Sequence, residues 1–361
     1  MPDLFDTLTL RGVTLRNRIG VSPMCQYWSD DGKASDWHLV HLGSFAIGGA
    51  ALIIAEATAV EPRGRISARD AGLWNDQQIG PLRRTTNFMK QYGAVPGIQL
   101  AHAGRKASTA PPYTPGTTRE NRRQILPADG GWTPLGPSAI PFYAGDPAPQ
   151  ALTLAEIKSI QTLFVDSAAR ALEAGYQWLE MHGAHGYLAH SFLSPLSNQR
   201  TDAYGGSLEN RMRFTLETAS LLRRAWPEHL PMSVRISATD WVDGGWSIED
   251  SVALGRKLKD LGIDIISYSS GALVEYAKIP VKPGFQVPLA EKVRRDAGIA
   301  TMAVGLITQP RQAQDIIAHG QADVVQLARE MMRDPHWAYR AAVALNQRAA
   351  VKLPQSYDYA I

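Results

Sequence analysis

Eight short apolar segments, spread over the length of the chain, constrain the fold more than any other feature of the sequence. Each is rich in Val, Ile or Leu and is bounded by Gly, Pro or polar residues. Most are continuous rather than alternating, which is typical of strands that are buried on both faces of a parallel sheet. The predicted strands are residues 18–24, 51–56, 95–100, 177–182, 232–237, 263–269, 300–305 and 322–328.

Helical patterns lie between many of these predicted strands. Their apolar side chains recur close to every 3.6 residues, and polar residues fill the other faces. Ser207 and Ser247 stand where N-caps are favoured, and Gly175 and Gly320 stand where helices are expected to end. The predicted helices are residues 154–173, 208–224, 248–261 and 309–319.

The alternation of strands and helices predicts a (β/α)8 TIM barrel that forms a single domain over residues 1–361. The alternative is a doubly wound sheet, but no Gly-x-Gly-x-x-Gly follows the first strand. Residues 110–149, between the third and fourth strands, are rich in Pro, Gly, Thr and Arg. We expect them to form a loop insertion or a small hairpin over the barrel mouth, and not a second domain.

The composition argues against several classes of protein. With 45% hydrophobic and 20% charged residues, the chain can bury a substantial core. A net charge of +3 does not suggest nucleic-acid binding, and the apolar runs are too short to span a membrane. Cys25 is the single cysteine, which fits a reducing compartment, and the acidic N-terminus does not resemble a signal peptide. We therefore expect a cytoplasmic protein.

The residues at the strand ends indicate the function, because the carboxyl ends of barrel strands meet on one face. His182, His185 and Tyr187 follow the fourth predicted strand. They place three proton-handling side chains where a strand opens into a loop, and β/α enzymes keep their chemistry at such positions. This segment is therefore the first candidate for an active site.

The other strand ends suggest a ligand. Gly305 and Arg329 end the seventh and eighth strands, which is the usual phosphate site of this fold. Gln99 and Arg235 offer directional donors from deeper in the mouth, and an arginine can stabilise an anionic ring or oxygen. A phosphate at one end and such donors at the other suit a flat, phosphorylated heteroaromatic such as FMN.

Each of these residues also has a simpler explanation. His182 and His185 could bind zinc, but no nearby Cys or Asp convincingly supplies the remaining ligands, so we expect no metal site. Cys25 could be a small buried apolar residue, and Arg235 could form a structural salt bridge with a neighbouring strand. We expect His102 to be a packed, hydrogen-bonded loop histidine rather than a catalyst.

Two other functional classes are compatible with a barrel. One is an aldolase or lyase that uses a Schiff-base lysine, but no inner strand ends in lysine, and Lys106 lies in the loop after the third strand. The other is a non-catalytic barrel that binds a phosphorylated ligand. Flavin absorption in the purified protein would distinguish an FMN enzyme from both.

Four longer motifs carry a family resemblance. They are Ser-Pro-Met-Cys-Gln-Tyr at 22–27, Ile-Gln-Leu-Ala-His-Ala-Gly-Arg-Lys at 98–106, His-Gly-Ala-His-Gly-Tyr at 182–187, and Ser-Pro-Leu-Ser-Asn at 194–198. From Leu4 to about Tyr339, the chain resembles the old yellow enzyme flavoproteins, which are FMN-dependent ene-reductases. Within them it resembles the bacterial class that includes the xenobiotic reductases.

The resemblance implies a role for each matching residue. His182 and His185 would bind the carbonyl oxygen of the substrate. Tyr187 would donate a proton, and Tyr27 would be a further substrate contact. The residues implied in FMN binding are Ser22, Pro23, Met24, Cys25, Ala57, Gln99, Arg235, Val304, Gly305, Ala328 and Arg329.

The resemblance also implies which part of FMN some of these residues would contact. Gly305 and Arg329 would hold the phosphate, and Cys25 would lie beside the flavin and tune its potential. The chain departs from the family pattern at Ala328, where glycine is usual, and at Val304, where an aromatic residue is common.

The resemblance also implies the reaction and the partners. NADPH, with NADH as a second donor, would reduce FMN, and the hydride would then pass to an activated alkene such as an α,β-unsaturated carbonyl compound or a nitro compound. Relatives form homodimers or dimer-built tetramers, and many place a C-terminal side chain in the neighbouring active site. We expect the tail, from about residue 340 to 361, to lie at a subunit interface, with Tyr357 or Tyr359 in that place.

Overall fold

Eight parallel strands form a closed barrel in the computed structural model, which describes residues 1–118 and 123–360. The strands pair in the order of the sequence, and the last pairs with the first. This confirms the predicted (β/α)8 barrel. The strands are β1 (Ile19–Val21), β2 (Leu52–Ala59), β3 (Val95–Ala101), β4 (Trp178–Gly183), β5 (Met232–Ser237), β6 (Ile265–Ser269), β7 (Ala300–Ala303) and β8 (Val324–Leu327).

A proline ends the first strand earlier than the sequence predicts. The prediction covers residues 18–24, whereas β1 ends at Val21. Ser22 N–H still donates to the Leu327 carbonyl at 2.9 Å. Pro23 has no N–H with which to continue this pairing, so the residues after it leave the sheet and turn towards the barrel mouth.

The second strand is longer than predicted. It continues past residues 51–56 to Ala59, and its register with β3 shifts between Ala55 and Ala57. Such an irregularity bends a strand near its end and redirects the side chains that follow. β5 has the predicted bounds, and the remaining strands differ from prediction by one or two residues at their ends.

Helices between the strands cover the outside of the barrel. The predicted helices are all present, and one of them, Leu154–Glu173, has the predicted bounds. Both predicted N-caps are confirmed, because Ser207 Oγ accepts Asn210 N–H and Ser247 Oγ accepts Asp250 N–H. The helices are α1 (Asp36–Ile47), α2 (Ile79–Gln91), α3 (Leu154–Glu173), α4 (Leu208–Ala225), α5 (Ile248–Asp260), α6 (Val287–Ala297), α7 (Pro310–Ala318) and α8 (Trp337–Ala344).

The apolar core lies between the barrel and these helices. On α3, Ile157, Ile160 and Phe164 face the barrel at a spacing of three and four residues, and each is at most 2% exposed. Two shorter helices, Leu188–Leu193 and Arg329–Arg333, begin close to the ends of β4 and β8. None of the helices in the described residues is long and apolar enough to cross a bilayer.

The interior of the barrel is polar. Gln99, Glu180, Ser233 and Gln326, on four different strands, are each at most 2% exposed. Gln99 Nε2 donates to Glu180 Oε1 at 2.8 Å, and Ser267 Oγ donates to Gln326 Oε1 at 2.6 Å. Because branched apolar residues usually fill the interior of such a barrel, this buried polar layer points to a function at the mouth above it.

The extended insertion after β3 is present as predicted, although residues 119–122 lie outside the described residues. The short strands Leu135–Gly136 and Gln150–Ala151 pair in parallel, so this pair is not the small hairpin that the sequence left open. Phe142 of the insertion lines a cavity at the barrel mouth. The insertion therefore forms one wall of the candidate site.

Candidate active site

A cavity of about 420 Å³ opens at the carboxyl ends of the strands. Tyr27 follows β1, Lys106 follows β3 and Tyr187 follows β4, so three strand ends contribute to its wall. This is the face at which barrel enzymes carry their active sites. The lining includes Tyr27, Ile66, Arg105, Lys106, Ala107, Phe142, Tyr143 and Tyr187.

His182, His185 and Tyr187 lie together beside this cavity. The ring centroid of His182 is 5.1 Å from that of His185 and 5.0 Å from that of Tyr187, with the ring planes nearly perpendicular. His182 Nε2 and His185 Nδ1 are 3.4 Å apart. Two ring nitrogens at this separation can hydrogen-bond one common oxygen atom, and the phenol ring packs against the first of them.

The backbone between these side chains adopts a left-handed conformation. His185 has φ +61° and Gly186 has φ +76°. A Cβ on residue 186 would lie 2.6 Å from the Ala272 carbonyl oxygen, so glycine is required there. Ser237 Oγ accepts the N–H of His185 at 2.9 Å, and Lys106 Nζ donates to its carbonyl at 2.8 Å. These two hydrogen bonds hold His185 in a conformation that a non-glycine residue rarely adopts.

A buried histidine–carboxylate pair that the sequence did not indicate supports the same turn. Gly186 N–H donates to His190 Nδ1 at 2.8 Å, and His190 Nε2 lies 2.9 Å from Asp240 Oδ1. Ser194 Oγ and Trp246 N–H each donate to Asp240 Oδ2 at 2.7 Å. A lone histidine in an apolar helix gives no local signal of a partner so far along the chain.

Both site histidines are neutral at neutral pH. Burial lowers the pKa of His182 and of His185 well below the ordinary value of 6.5, and nearby positive charge adds to the effect. Ala184 N–H donates to His182 Nδ1 at 3.2 Å, so the ring proton of His182 lies on Nε2. His185 Nε2 lies 2.7 Å from Ser269 Oγ. Ser269 Oγ also lies 3.3 Å from Gln286 Oε1, which Ser270 Oγ approaches more closely, at 2.7 Å. When the Ser269 hydroxyl donates to the nearer His185 Nε2, the proton of His185 lies on Nδ1, and both N–H groups face the same point.

Arg235 and Gln99 lie deeper in the mouth. Arg235 is 5% exposed and donates from Nη1 to Ser22 Oγ at 2.7 Å, which is a hydroxyl and not the carboxylate of a structural salt bridge. Its Nε is buried and has no hydrogen-bond partner among the described residues. Gln99 stands opposite Ala57 in the register of β2 and β3. A buried donor without a partner is rare in proteins, so this guanidinium is poised to bind a ligand atom.

The end of β1 forms the opposite side of the mouth. Pro23, Met24 and Cys25 are half-buried there. Cys25 and Tyr187 pack against the same small cluster of buried residues, which is separate from the main core. Cys25 therefore lies near Tyr187 and outside the main core. The cluster consists of Ile66, Ala103 and Ala107.

A second cavity, of about 220 Å³, lies at the ends of β7 and β8. Gly305 has φ +126°, and a Cβ there would approach Gln286 to 3.0 Å. Arg329 begins a short helix directly after Ala328. A glycine backbone, helix N–H groups and an arginine are a donor set that suits a phosphate. Its lining includes Val304, Gly305, Gln326, Ala328, Arg329 and Arg333.

Two further observations concern possible metal ligands and His102. Within residues 1–118 and 123–360, no group of three or more His, Cys, Asp or Glu side chains could hold a metal ion. His102 is buried and hydrogen-bonded, as expected, since its Nε2 lies 2.9 Å from Glu61 Oε1 and its Nδ1 accepts Gly104 N–H at 3.0 Å. Its two nitrogens are thus engaged within the fold.

The sequence matches the model of a family described as "NADH:flavin oxidoreductase / NADH oxidase family" over residues 3–348. The chain belongs to this family. It is 48% identical over 344 residues to the NADPH dehydrogenase of Geobacillus sp. (strain WCH70), which covers 95% of this chain and 94% of that protein. It is also 43% identical over 357 residues to the NADPH dehydrogenase of Bacillus subtilis (strain 168), 98% of each chain.

Solved structures of old yellow enzyme type have the same fold. Morphinone reductase in complex with tetrahydroNAD has a TM-score of 0.78 and 25% identity, over 98% of this chain and 93% of its own. The old yellow enzyme homologue from Zymomonas mobilis has a TM-score of 0.77 and 23% identity, over 98% of this chain and 94% of its own. The family match and the NADPH dehydrogenase relatives confirm the predicted membership of the old yellow enzyme group, and these two structures share its fold.

As a member of the NADH:flavin oxidoreductase / NADH oxidase family, the chain is an oxidoreductase that uses FMN and NADPH, as the sequence predicted. The residues of the mouth fit FMN. The partnerless Nε of Arg235 and the amide of Gln99 suit the polar edge of a flavin ring. The backbone at Gly305, which carries no side chain, and the guanidinium of Arg329 both line the second cavity and suit its phosphate.

Proposed function

We propose that the chain reduces activated C=C bonds of α,β-unsaturated carbonyl compounds, chiefly enones and also nitro compounds, with NADPH as the preferred reductant and NADH as a second. The observation that carries the proposal is the pair of ring nitrogens, His182 Nε2 and His185 Nδ1, 3.4 Å apart with Tyr187 beside them. Bound FMN supplies the two-electron chemistry, by which hydride from the nicotinamide reaches the alkene.

The two histidines bind the carbonyl oxygen. Because both are neutral, each presents one N–H without bringing a charge into the pocket. Negative charge develops on that oxygen as the alkene accepts hydride at its β-carbon. Fixed N–H donors aimed at such an oxygen stabilise the transition state more than the ground state, and each is commonly worth about 10²- to 10³-fold in rate.

Tyr187 completes the reduction as the proton donor to the α-carbon. Its ring packs 5.0 Å from that of His182, centroid to centroid, and it lines the cavity through which a substrate enters. A phenol carries its proton at neutral pH and can donate it in the transition state. Tyr27, on the facing wall of the same cavity, is the further substrate contact.

The FMN contacts are proposed from the same geometry. Residues at the ends of β1, β2, β3 and β5 contact the ring, and those at the ends of β7 and β8 contact the phosphate and its neighbouring atoms. The ring residues are Ser22, Pro23, Met24, Cys25, Ala57, Gln99 and Arg235. The residues on the phosphate side are Val304, Gly305, Ala328 and Arg329.

The test measures the flavin content first. It then measures separately the reduction of the flavin by NADPH and the reduction of the enone. We expect the purified protein to be yellow, to release one FMN per chain on denaturation, and to reduce cyclohex-2-enone with NADPH. In Tyr187→Phe, enone reduction should slow about 10²- to 10⁴-fold, whereas NADPH should reduce the flavin at the wild-type rate. Tyr339→Phe, on α8, is the matched control. Full enone turnover by Tyr187→Phe would remove the proton-donor role.

We also propose that the chain acts in the cytoplasm as one domain that assembles into a homodimer or a dimer-built tetramer, with the tail of residues 340–361 at the interface. Tyr357 and Tyr359 support this arrangement, because they are 41% and 93% exposed and tyrosine is enriched at interfaces. Residue 361 lies outside the described residues. Light scattering of the full chain, and of a chain that ends at residue 351, tests the proposal. We expect only the shortened chain to be monomeric.

A further inference from the structure

The barrel interior contains a carboxylate that the proposed reaction does not use. Glu180 lies in the middle of β4 and is 0% exposed. Its Oε1 accepts Gln99 Nε2 at 2.8 Å, and its Oε2 accepts Ser233 Oγ at 3.1 Å. A fully buried carboxyl group is costly unless its charge has partners, so a role at this position is expected.

The hydrogen bonds of Glu180 are those of the ionised form. Trp178 Nε1, which can only donate, bonds Ser233 Oγ at 2.9 Å. The single hydroxyl proton of Ser233 is therefore free to point at Glu180, and both carboxyl oxygens accept. Burial raises the pKa of Glu180 above the ordinary value of 4.5, and the charge of Arg235 and these two hydrogen bonds offset only part of that rise. The bonding pattern favours the carboxylate.

Glu180 lies one layer below Arg235 in the barrel. In the register of β4 and β5, Glu180 stands opposite Ser233 and His182 stands opposite Arg235. Alternate residues of a strand share a face, so Glu180 and His182 both point inwards. Arg235 is buried, and charges interact strongly in such surroundings. The carboxylate thus offsets part of the positive charge that the guanidinium presents to the mouth.

Glu180 also fixes the amide of Gln99. Because Gln99 Nε2 is bound downwards to the carboxylate, its Oε1 is directed away from Glu180. An amide held in this way presents its oxygen, and the second hydrogen of its Nε2, in fixed directions to a ligand in the mouth. A neutral side chain at position 180 that can both donate and accept would allow either orientation of Gln99.

We propose that Glu180 is a positioning residue for the bound cofactor, which fixes the Gln99 amide and offsets the charge of Arg235, and so lowers the reduction potential of FMN. Reduction adds electrons to the flavin, and an uncompensated guanidinium beside it would favour that added charge. The inference rests on the proposed placement of FMN at the barrel mouth.

The decisive variant is Glu180→Gln, which removes the charge and keeps the shape. We expect the two-electron midpoint potential of bound FMN to rise by at least the equivalent of a tenfold change in the reduction equilibrium, about 30 mV. Glu61→Gln is the matched control, since it neutralises another largely buried carboxylate, the partner of His102, and should leave the potential at the wild-type value. Flavin-loaded Glu180→Gln with the wild-type potential would overturn the proposal.

A second variant keeps the inference testable if Glu180→Gln does not fold. Glu180→Asp retains the charge but is too short to reach Gln99. We expect its potential to stay near the wild-type value while the dissociation constant of FMN rises about tenfold, the effect of one hydrogen bond. A raised potential, or FMN affinity equal to wild type, would contradict the proposal. Wild-type protein that binds no FMN would instead contradict the proposed function.

Discussion

His102 and His182 lie at the ends of neighbouring strands of the barrel. The Nδ1 atom of each ring accepts the same kind of hydrogen bond. His102 Nδ1 accepts Gly104 N–H at 3.0 Å, and His182 Nδ1 accepts Ala184 N–H at 3.2 Å. In each case the acceptor is two residues before the donor. This local bond leaves the ring proton on Nε2 in both, so the two histidines differ only in what that proton meets.

The group that faces Nε2 separates the two roles. His102 Nε2 lies 2.9 Å from Glu61 Oε1, whereas His182 Nε2 faces the neutral ring of His185 at 3.4 Å. Two further buried histidines resemble His102, since His38 bonds Glu56 and His190 lies against Asp240. A carboxylate at Nε2 engages a histidine within the fold, whereas a neutral neighbour leaves the Nε2–H of His182 available to the carbonyl oxygen that we propose it binds.

The largest expected effect comes from giving His182 the carboxylate that it lacks. In His185→Asp, a negative charge beside His182 should raise the pKa of its ring and take up its N–H. We expect kcat/KM for enone reduction to fall about 10²- to 10³-fold. Steady-state rates and an NMR titration of the imidazole check this.

His185→Asn is the matched control for that experiment. It has nearly the same size as Asp, tolerates the left-handed backbone and offers a neutral N–H. We expect its kcat/KM for enone reduction to fall about tenfold, the effect of one impaired hydrogen bond. Equal losses in the Asp and Asn variants would show that the charge at this position does not distinguish the two kinds of histidine.

The second prediction concerns the stability that the His102 pair contributes. Glu61→Gln should lower the free energy of unfolding by about 1–3 kcal/mol, because a buried ring nitrogen loses its charged partner. Enone turnover should change little. Chemical denaturation and steady-state assays measure the two effects, and a large loss of activity with unchanged stability would assign His102 to the reaction.

The pKa of Glu61 also determines how this contribution to stability depends on pH. Burial alone would raise its pKa, but hydrogen bonds and charge from His102 and Arg63 outweigh burial and hold it below the ordinary value of 4.5. A carboxyl group with a lowered folded pKa stabilises the fold above its unfolded pKa. That contribution is lost as the pH falls through the folded pKa, and it should be absent from Glu61→Gln.

A third prediction uses a partly buried histidine, His41, with which no carboxylate among the described residues pairs. Burial, with the charge of His38, lowers the pKa of His41 to about 4. The unfolded chain takes up this proton first, so stability is lost as the pH falls from about 6.5 towards 4. Between pH 7 and pH 5, the free energy of unfolding of His41→Gln should fall by on the order of 1 kcal/mol less than that of the wild type. The measurement is the change in denaturation midpoint from pH 7 to pH 5. An equal change in the wild type and in His41→Gln would contradict this prediction.

Local patterns explain what the sequence could predict. The bounds of β5 and α3 follow from apolar periodicity within each segment. The meeting of His182, His185 and Tyr187 follows because they are close in sequence and follow one strand. The gathering of Gln99, Arg235, Gly305 and Arg329 near one end of the barrel follows from the rule that strand ends share a face, and FMN binding there stays a prediction.

Distant partners explain what the sequence could not predict. Glu61 is 41 residues from His102, and Glu180 is 81 residues from Gln99, so neither pair is visible before the barrel closes. One signal was available, since Glu180 is a single charged residue within the otherwise apolar segment Trp178–Met181 of a buried strand. Buried charges of this kind are seldom incidental. The direction of a histidine Nε2, in contrast, has no sequence signal.

The smallest expected effect separates the two histidines of the site itself. His182 is oriented by the backbone N–H of Ala184, which only a proline substitution would remove. His185 depends instead on the hydroxyl of Ser269, 2.7 Å from its Nε2. Ser269→Ala should therefore lower kcat/KM for enones about 3- to 10-fold, through the loss of one hydrogen bond that sets the His185 tautomer. Ser267→Ala, on the same strand and bonded to Gln326, is the control and should retain the wild-type rate. If Ser269→Ala is as active as the control, His185 needs no partner to present its proton, and the backbone turn alone orients it.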